Sequence, residues 1–264
     1  MNKLFYVCVL FSFFSFSQQK SKKQITAILK DSIKIEAKSI FGVDNFGTLY
    51  YTSKNNSFHK KTKDTIITYA NFQLGEITSA NTFNPLKINL FYKDFNTVVV
   101  LDNRLAEIAK IDFNTTQPYK NISFVSSAYN NSFWIFNEDY KYLELYDFQN
   151  KKIKLKTMPI QSRVIDLKSD YNYCYLLTEN FLYVYNYFGS LIQKIKNENY
   201  ESLAFSEAHI FLKSNNKLYF LEKNESTIQP IKHSFFLIKQ FLVTNESLYL
   251  YHKNSLRHYQ LKIE

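Results

Sequence analysis

Short apolar segments separated by polar links recur along most of the chain. Within a segment hydrophobic and polar residues tend to alternate, which is typical of β-strands with one buried face. The segments come in pairs joined by Asn-, Asp- or Ser-containing links, which predicts antiparallel hairpins. The six predicted hairpins are Ser39–Asn45 with Thr48–Lys54, Ile88–Asp94 with Thr97–Asn103, Ser132–Asp139 with Tyr142–Phe148, Tyr173–Glu179 with Phe181–Tyr187, Ala208–Asn215 with Lys217–Lys223, and Ser247–Lys253 with Ser255–Leu261.

The hairpins repeat at the spacing of propeller blades. The aliphatic residues near the start of each second strand are 49, 45, 39, 36 and 38 residues apart; they are Leu49, Val98, Leu143, Leu182, Leu218 and Leu256. Each interval has room for one strand before and one after the hairpin, which is the composition of a four-stranded blade. We therefore predict an all-β, six-bladed propeller of antiparallel blades, and interpret the longer early spacings as insertions.

The strand before each hairpin is expected to line the central channel. These predicted inner strands are about Asp31–Lys38, Leu74–Ala80, Tyr119–Ala128, Ser162–Ser169, Tyr200–Ser206 and Phe235–Thr244. The last hairpin ends at Leu261, so the final blade lacks an outer strand. We predict that Gln24–Lys30 supplies this strand and closes the ring.

Two other folds fit parts of this pattern. A seven-bladed propeller is the nearer alternative. An outer-membrane β-barrel also has aromatic-rich alternating strands, but lysines recur within these strands, the repeat has blade length, and the sequence ends on Glu264 where such barrels end on an aromatic residue. The propeller is therefore the favoured prediction.

The first residues have the features of an export signal. Lys3 precedes an apolar stretch from Leu4 to Phe16, and Ser15 and Ser17 are small residues suited to a cleavage site. We predict a signal peptide over 1–17, a single propeller domain over 18–264, no membrane span, and export to the periplasm, with the extracellular space as the alternative. Cys174 is then the one cysteine of the mature chain, and we expect a small core residue there.

Composition supports strands and a basic surface. Aromatic residues make up 18% of the chain, which favours strands. The formal net charge is +10, or +9 once Lys3 is removed, and lysines cluster at 20–23, 60–63 and 151–156. Such a surface attracts polyanions, although a purely solubilising role is the simpler interpretation. The predicted partners are an envelope protein or an anionic envelope polymer and not nucleic acid, and we expect a monomer.

Two resemblances extend this interpretation. The repeat with its closing strand resembles the secreted propellers of the quinoprotein-like and WD-repeat-like superfamily at the level of the fold. Trp134 is the only tryptophan, so the tryptophan marks of those groups are missing and the resemblance implies no cofactor. The leader and the segment Asn81–Asn96 resemble an uncharacterised group of exported propellers from flavobacteria, within the Bacteroidetes, to which no activity is attached.

Candidate chemistry is sparse. The histidines lack zinc-ligand spacing, so we predict no metal. The sequence also lacks a calcium loop, a phosphate-binding glycine loop and a Gly-x-Ser-x-Gly elbow, so we predict no catalytic residue. Carboxylates near strand ends could form the acid and base of a glycan-cleaving site, but turn capping explains them more simply; they are Asp94, Asp102, Asp139 and Asp147.

The most distinctive stretch is the connection from Tyr69 to Pro85, which combines aromatic and amide side chains. An exposed loop of this composition suits recognition; the alternative is that it plugs the channel or packs between blades. The predicted binding residues are Asn71, Phe72, Gln73, Phe83, Asn84 and Pro85. The sequence thus predicts a non-catalytic periplasmic or envelope platform for binding or assembly, with a glycan-binding or glycan-cleaving propeller as the alternative.

Overall fold

A computed structural model describes residues 24–232 and 237–263, so the predicted signal peptide lies outside the described residues. The described chain forms 24 strands in six separate four-stranded antiparallel sheets, arranged as the blades of a propeller. This confirms the predicted six-bladed fold, and the seven-bladed alternative is wrong. Within the described part, no helix is long and apolar enough to cross a membrane.

The blades are numbered along the chain, and the strands of each run from the channel outward. Blade 1 contains β2 (Ser39–Val43), β3 (Leu49–Thr52), β4 (Phe58–Lys61) and β5 (Ile66–Tyr69), and blade 2 contains β6 (Ser79–Asn81), β7 (Ile88–Tyr92), β8 (Thr97–Leu101) and β9 (Glu107–Asp112). Blade 3 contains β10 (Ile122–Ser127), β11 (Ser132–Asn137), β12 (Tyr142–Asp147) and β13 (Lys152–Lys156), and blade 4 contains β14 (Val164–Ser169), β15 (Tyr173–Thr178), β16 (Phe181–Asn186) and β17 (Leu191–Lys196). Blade 5 contains β18 (Ser202–Phe205), β19 (His209–Ser214), β20 (Lys217–Glu222) and β21 (Gln229–Pro230), and blade 6 contains β22 (Gln240–Thr244), β23 (Ser247–His252), β24 (Ser255–Ile263) and β1 (Ile25–Lys34).

The hydrophobic core consists of layers between neighbouring blades. Alternation along a strand sends side chains to both faces of a sheet, and each face packs against the next blade. Between blades 3 and 4, for example, Trp134 and Phe136 pack with Leu167, Cys174 and Leu176. Cys174 is fully buried, and burial followed by the nearby Asp170 charge raises the pKa of its thiol. This confirms the prediction of a small core residue at this position.

The two ends of the chain close the ring, as predicted. β1 pairs with β24 from Ile25 opposite Ile263 to Lys34 opposite Ser255, with one irregularity after Leu29. Ile25 is fully buried in the layer between blades 5 and 6, so it fastens the first strand to the last blade. The closing strand ends at Lys34 and not at Lys30, because the pairing register continues along all of β24.

The extra length of β1 corrects the prediction for blade 1. Residues 31–34 belong to the closing strand, so the expected inner strand Asp31–Lys38 is wrong, and the inner strand is β2. The hairpin predicted at Ser39–Asn45 with Thr48–Lys54 is real, but it forms the first two strands of its blade and not the middle two. The spacing of 49 residues was therefore measured from the second strand of blade 1 to the third strand of blade 2. The third strands of the two blades, β4 and β8, begin 39 residues apart.

Polar side chains in the channel wall join neighbouring inner strands. Gln240 Oε1 accepts a hydrogen bond from the Ile40 N–H at 3.0 Å, which links blades 6 and 1. Asp166 Oδ2 accepts one from the Leu203 N–H at 2.9 Å, which links blades 4 and 5. A blade is therefore held to its neighbour at the channel as well as through the apolar layers.

A buried ion pair lies between the connection into blade 3 and β12. The Nζ of Lys120 lies 2.8 Å from Glu144 Oε2, and both side chains are almost fully buried. Lys156 Nζ lies 3.7 Å from the other carboxylate oxygen but is half exposed. Removal of one partner from such a pair is strongly destabilising, because the remaining charge stays buried without a counter-ion.

Candidate binding site at the channel mouth

A cavity of about 1200 Å³ follows the central channel. Its wall is made by the inner strands, and one end is surrounded by the loops that follow these strands. We call this end the mouth; its loops are 44–48, 82–87, 128–131, 170–172, 206–208 and 245–246. The loops that precede the inner strands lie at the opposite ends of the strands, on what we call the far face.

The six predicted binding residues divide between these two faces. Asn71, Phe72 and Gln73 lie in the loop before β6, on the far face, where Phe72 is 87% exposed. Phe83, Asn84 and the exposed Pro85 follow β6 at the mouth. Because β6 separates the two groups, they do not form one recognition loop.

Phe83 reaches across the mouth. Its ring centroid lies 5.0 Å from that of Tyr171, in an edge-to-face arrangement, and 6.1 Å from that of Phe205. Phe83 belongs to blade 2, whereas Tyr171 follows the inner strand of blade 4 and Phe205 ends that of blade 5. Blades 2 and 5 face one another in a six-bladed ring, so the loop after β6 brings Phe83 across the mouth to residues of blades 4 and 5.

These rings belong to a larger aromatic group that we call the mouth cluster, formed by Phe83, Tyr129, Tyr171 and Phe205. Tyr129 of blade 3 adds an edge-to-face contact with Tyr171 at 6.4 Å. Phe83, Tyr129 and Tyr171 remain 44%, 60% and 39% exposed. Aromatic side chains held by each other and still open to solvent are the kind that dominate protein recognition.

The inner side of the cluster holds an ammonium group of the chain itself. Lys223, which follows β20, places its Nζ 3.1 Å from Asp170 Oδ2. The same Nζ lies 5.5 Å from the ring centres of Tyr173 and Tyr175 and 5.7 Å from that of Phe205. This distance lies within the range of cation–π attraction. The surroundings of the cluster therefore stabilise a cation.

A close approach between blades 1 and 2 positions the loop that carries Phe83. A Cβ added to Gly42 on β2 would overlap Thr82 Oγ1, so Thr82 keeps its present position only because residue 42 has no side chain. The loop is then fixed by its own polar groups: the Phe83 N–H donates to Asn81 Oδ1 at 3.1 Å, and the Leu86 N–H donates to Asn84 Oδ1 at 3.0 Å. Asn84 therefore acts as a turn-former.

Two carboxylates at the mouth accept hydrogen bonds from the backbone of the turns that contain them. Asp44 in blade 1 accepts from the Phe46 and Thr48 N–H groups, and Asp170 in blade 4 accepts from the Asn172 and Tyr173 N–H groups, at 2.7–2.9 Å. Each carboxylate also lies 3.4 Å from a tyrosine hydroxyl, that of Tyr50 or Tyr175.

Burial, followed by the nearby carboxylate, raises the pKa of Tyr50 and Tyr175 well above the ordinary tyrosine value. Both phenols therefore stay neutral and donate to their carboxylates. Groups committed in this way do not resemble the free acid and base of a glycosidase, which must exchange protons with substrate.

The carboxylates singled out from the sequence lie in hairpin loops away from the channel. Asp102 accepts from the Arg104 and Ala106 N–H groups, which confirms turn capping at that position. Asp139 accepts from the Asn121 side chain at 2.9 Å, and Asp94 is exposed.

Asp147 caps the turn after β12. It accepts from the backbone and side chain of Asn150 and lies 3.1 Å from Lys154 Nζ. Desolvation opposes ionisation of this carboxyl, but the Asn150 and Lys154 interactions outweigh it and lower its pKa to about 2. Asp147 therefore stays ionised as a structural group.

Other predicted features add no site within the described part of the chain. No group of three or more His, Cys, Asp or Glu side chains there is arranged to hold a metal ion. In the lysine cluster on β13, Lys154 and Lys156 each pair with a carboxylate, which weakens the case for a strong anion site on that strand.

Sequence reasoning missed Tyr129, Tyr171, Phe205 and Lys223. All four lie at the ends of strands far apart along the chain. The available signal was positional, because a residue directly after a predicted inner strand must lie at the mouth.

Comparison with known proteins supports the fold. No family model and no curated protein matches the chain. Among solved structures, the chain is similar to a catalytically inactive virginiamycin B lyase from Staphylococcus aureus with quinupristin (11% identity, 84% of this chain, 80% of that chain, TM-score 0.59).

Two further structures show the same likeness. The Pan2 WD40 domain of Neurospora crassa matches at 11% identity, with coverage of 85% and 74% and a TM-score of 0.58. PorZ, an essential surface component of the type-IX secretion system of Porphyromonas gingivalis, matches at 11% identity over 86% of this chain and 31% of PorZ, with a TM-score of 0.54. These neighbours include an enzyme and a secretion component, so they establish the β-propeller fold and no particular activity.

Proposed function

We propose that the mature protein is an exported, non-catalytic propeller that binds a partner protein of the cell envelope at the mouth. The observation that carries the proposal is the mouth cluster, in which side chains from four different blades meet and three remain open to solvent. Tyrosine and phenylalanine in such an arrangement suit a binding hot spot.

The commitments of Asp44 and Asp170, two of the carboxylates at the mouth, favour binding over hydrolysis. Asp44 and Asp170 lie on opposite blades but are each occupied by backbone donors and a tyrosine hydroxyl. The glycan-cleaving alternative requires a pair of carboxyls available to substrate, whereas the platform requires an open apolar surface on a rigid ring.

The envelope location rests on the predicted leader over 1–17. PorZ is a precedent for a propeller in a bacterial surface assembly, and its likeness to this chain extends to the fold alone.

Affinity capture from the native cell envelope tests the proposal. Tagged wild-type protein, the double variant Phe83→Ala/Tyr171→Ala and the control Phe72→Ala would be captured in parallel, since Phe72 is an exposed phenylalanine on the far face. We expect one recurrent envelope protein with wild type and Phe72→Ala, lost with the double variant, and direct binding when that protein is purified. Equal recovery with the double variant, or no recurrent protein, would overturn the proposal.

A further inference from the structure

Resting on the proposed function, we infer that the partner segment at the mouth is cationic and places a lysine or arginine side chain on the mouth cluster. Among the described residues, the cavity wall contains five carboxylates and three lysines; they are Asp44, Asp166, Asp170, Glu207 and Glu222, and Lys168, Lys223 and Lys239. The wall is thus net negative inside a chain whose formal charge is +10.

Two of the lysines are already neutralised locally. Lys223 pairs with Asp170, and Lys168 Nζ lies 3.4 Å from Asp166 Oδ1. Within the described residues, neither Asp44 nor the exposed Glu207 takes part in a salt bridge. Both carboxylates line the cavity, so among the described residues they add negative charge that no lysine or arginine pairs with.

The aromatic rings add a second reason. The faces of Phe and Tyr rings attract cations, and the cluster surroundings already hold the Lys223 ammonium between a carboxylate and three rings. Phe83, Tyr129 and Tyr171 offer further ring surface on the solvent side. Glu207, two residues after Phe205, adds a negative charge beside this surface.

The basic exterior does not prevent such binding. At physiological ionic strength charges are screened over about 8 Å. The electrostatic energy of a cation in the mouth therefore depends more on the carboxylates and rings around it than on lysines on the outer strands. The ligand class that fits is an extended polypeptide segment rich in lysine or arginine.

Fluorescence anisotropy with defined peptides tests this inference on the purified protein. The probes are a 12-residue Gly-Ser peptide with four arginines and the same peptide with four glutamates. We expect the arginine peptide to bind and the glutamate peptide not to bind, and expect binding to weaken as NaCl is raised from 50 to 300 mM. Each of Tyr171→Ala and Glu207→Gln should weaken binding about three- to tenfold, the scale of one cation–π or partly screened charge interaction.

Matched controls are available on the far face. Phe72→Ala and Glu198→Gln remove an exposed ring and an exposed carboxylate from loops there and should leave the affinity unchanged. Thermal melts establish that each variant is folded. Equal binding of the two peptides, or unchanged affinity in Tyr171→Ala and Glu207→Gln, would overturn the inference.

The two proposals can fail separately. If a captured partner binds equally well after its lysines and arginines are changed to glutamine, the platform proposal stands and the cationic segment is wrong. If the arginine peptide binds as expected but no envelope protein is recovered, the cation site stands and the platform proposal fails.

Discussion

Substitution of Gly42 by alanine should disturb the mouth from within the fold. The φ angle of Gly42 is not positive, so alanine can adopt the same backbone conformation without strain. The added Cβ would nevertheless overlap Thr82 Oγ1, one residue before Phe83. The perturbation is therefore steric and lies between β2 and the loop that crosses the channel.

The expected cost follows from two opposing effects. Overpacking a tight contact costs about 1–3 kcal/mol, and replacing glycine by alanine restricts the unfolded chain, which returns about 0.4–1 kcal/mol. We expect a net loss of about 1–2 kcal/mol in the free energy of unfolding. Urea denaturation followed by the fluorescence of Trp134, the one tryptophan and almost fully buried, measures this loss.

A second substitution makes the reasoning testable. The added Cβ would lie at 3.4 Å from Thr82 Cβ, an ordinary contact, so the clash is with the hydroxyl alone. Thr82→Ala should therefore have little effect by itself but restore stability in the Gly42→Ala background. Additive effects of the two substitutions, or a neutral Gly42→Ala, would refute this account of how the loop is positioned.

Three other predictions concern the ring and its buried charges. Lys120→Met leaves Glu144 charged in the core and should destabilise the protein by about 3 kcal/mol in urea denaturation, whereas Lys120→Met/Glu144→Leu should recover most of the loss. Ile25→Ala should cost about 2–4 kcal/mol because this side chain fastens the closing strand, while Ile33→Ala, on the same strand but 44% exposed, should change the melting temperature little. Asp147→Asn should destabilise the protein at pH 7, because the folded-state pKa of Asp147, about 2, lies below its unfolded value. The stability that this carboxylate contributes is lost as pH falls through about 2, so the melting curves of variant and wild type should converge there.

The fold was readable from the sequence because each blade repeats the same local signals. Alternating segments and Asn- or Asp-containing turns specify hairpins, and their spacing specifies blades. The error in blade 1 arose because β1 continues to Lys34, and a strand of the last blade looks the same as an inner strand of the first. Local pattern identifies a strand, but only pairing decides which sheet contains it.

The candidate site was less predictable for the same reason. Phe83 stood out because it lies in an unusual connection, and the structure places it at the mouth. Its partners Tyr171 and Phe205 lie in unremarkable stretches and are brought to Phe83 by the circular arrangement of the blades. Asn71 and Phe72 are close to Phe83 in sequence, yet β6 carries the chain to the other face between them.

Site-specific photo-crosslinking in cells tests the central claim most directly. A photoreactive phenylalanine analogue would replace Phe83 at the mouth or Phe72 on the far face, both of which are aromatic and exposed. The account predicts a discrete crosslink to one envelope protein from position 83, lost when Tyr171→Ala is added, and none from position 72. Equal crosslinks from both positions, or a crosslink from position 72 alone, would contradict it.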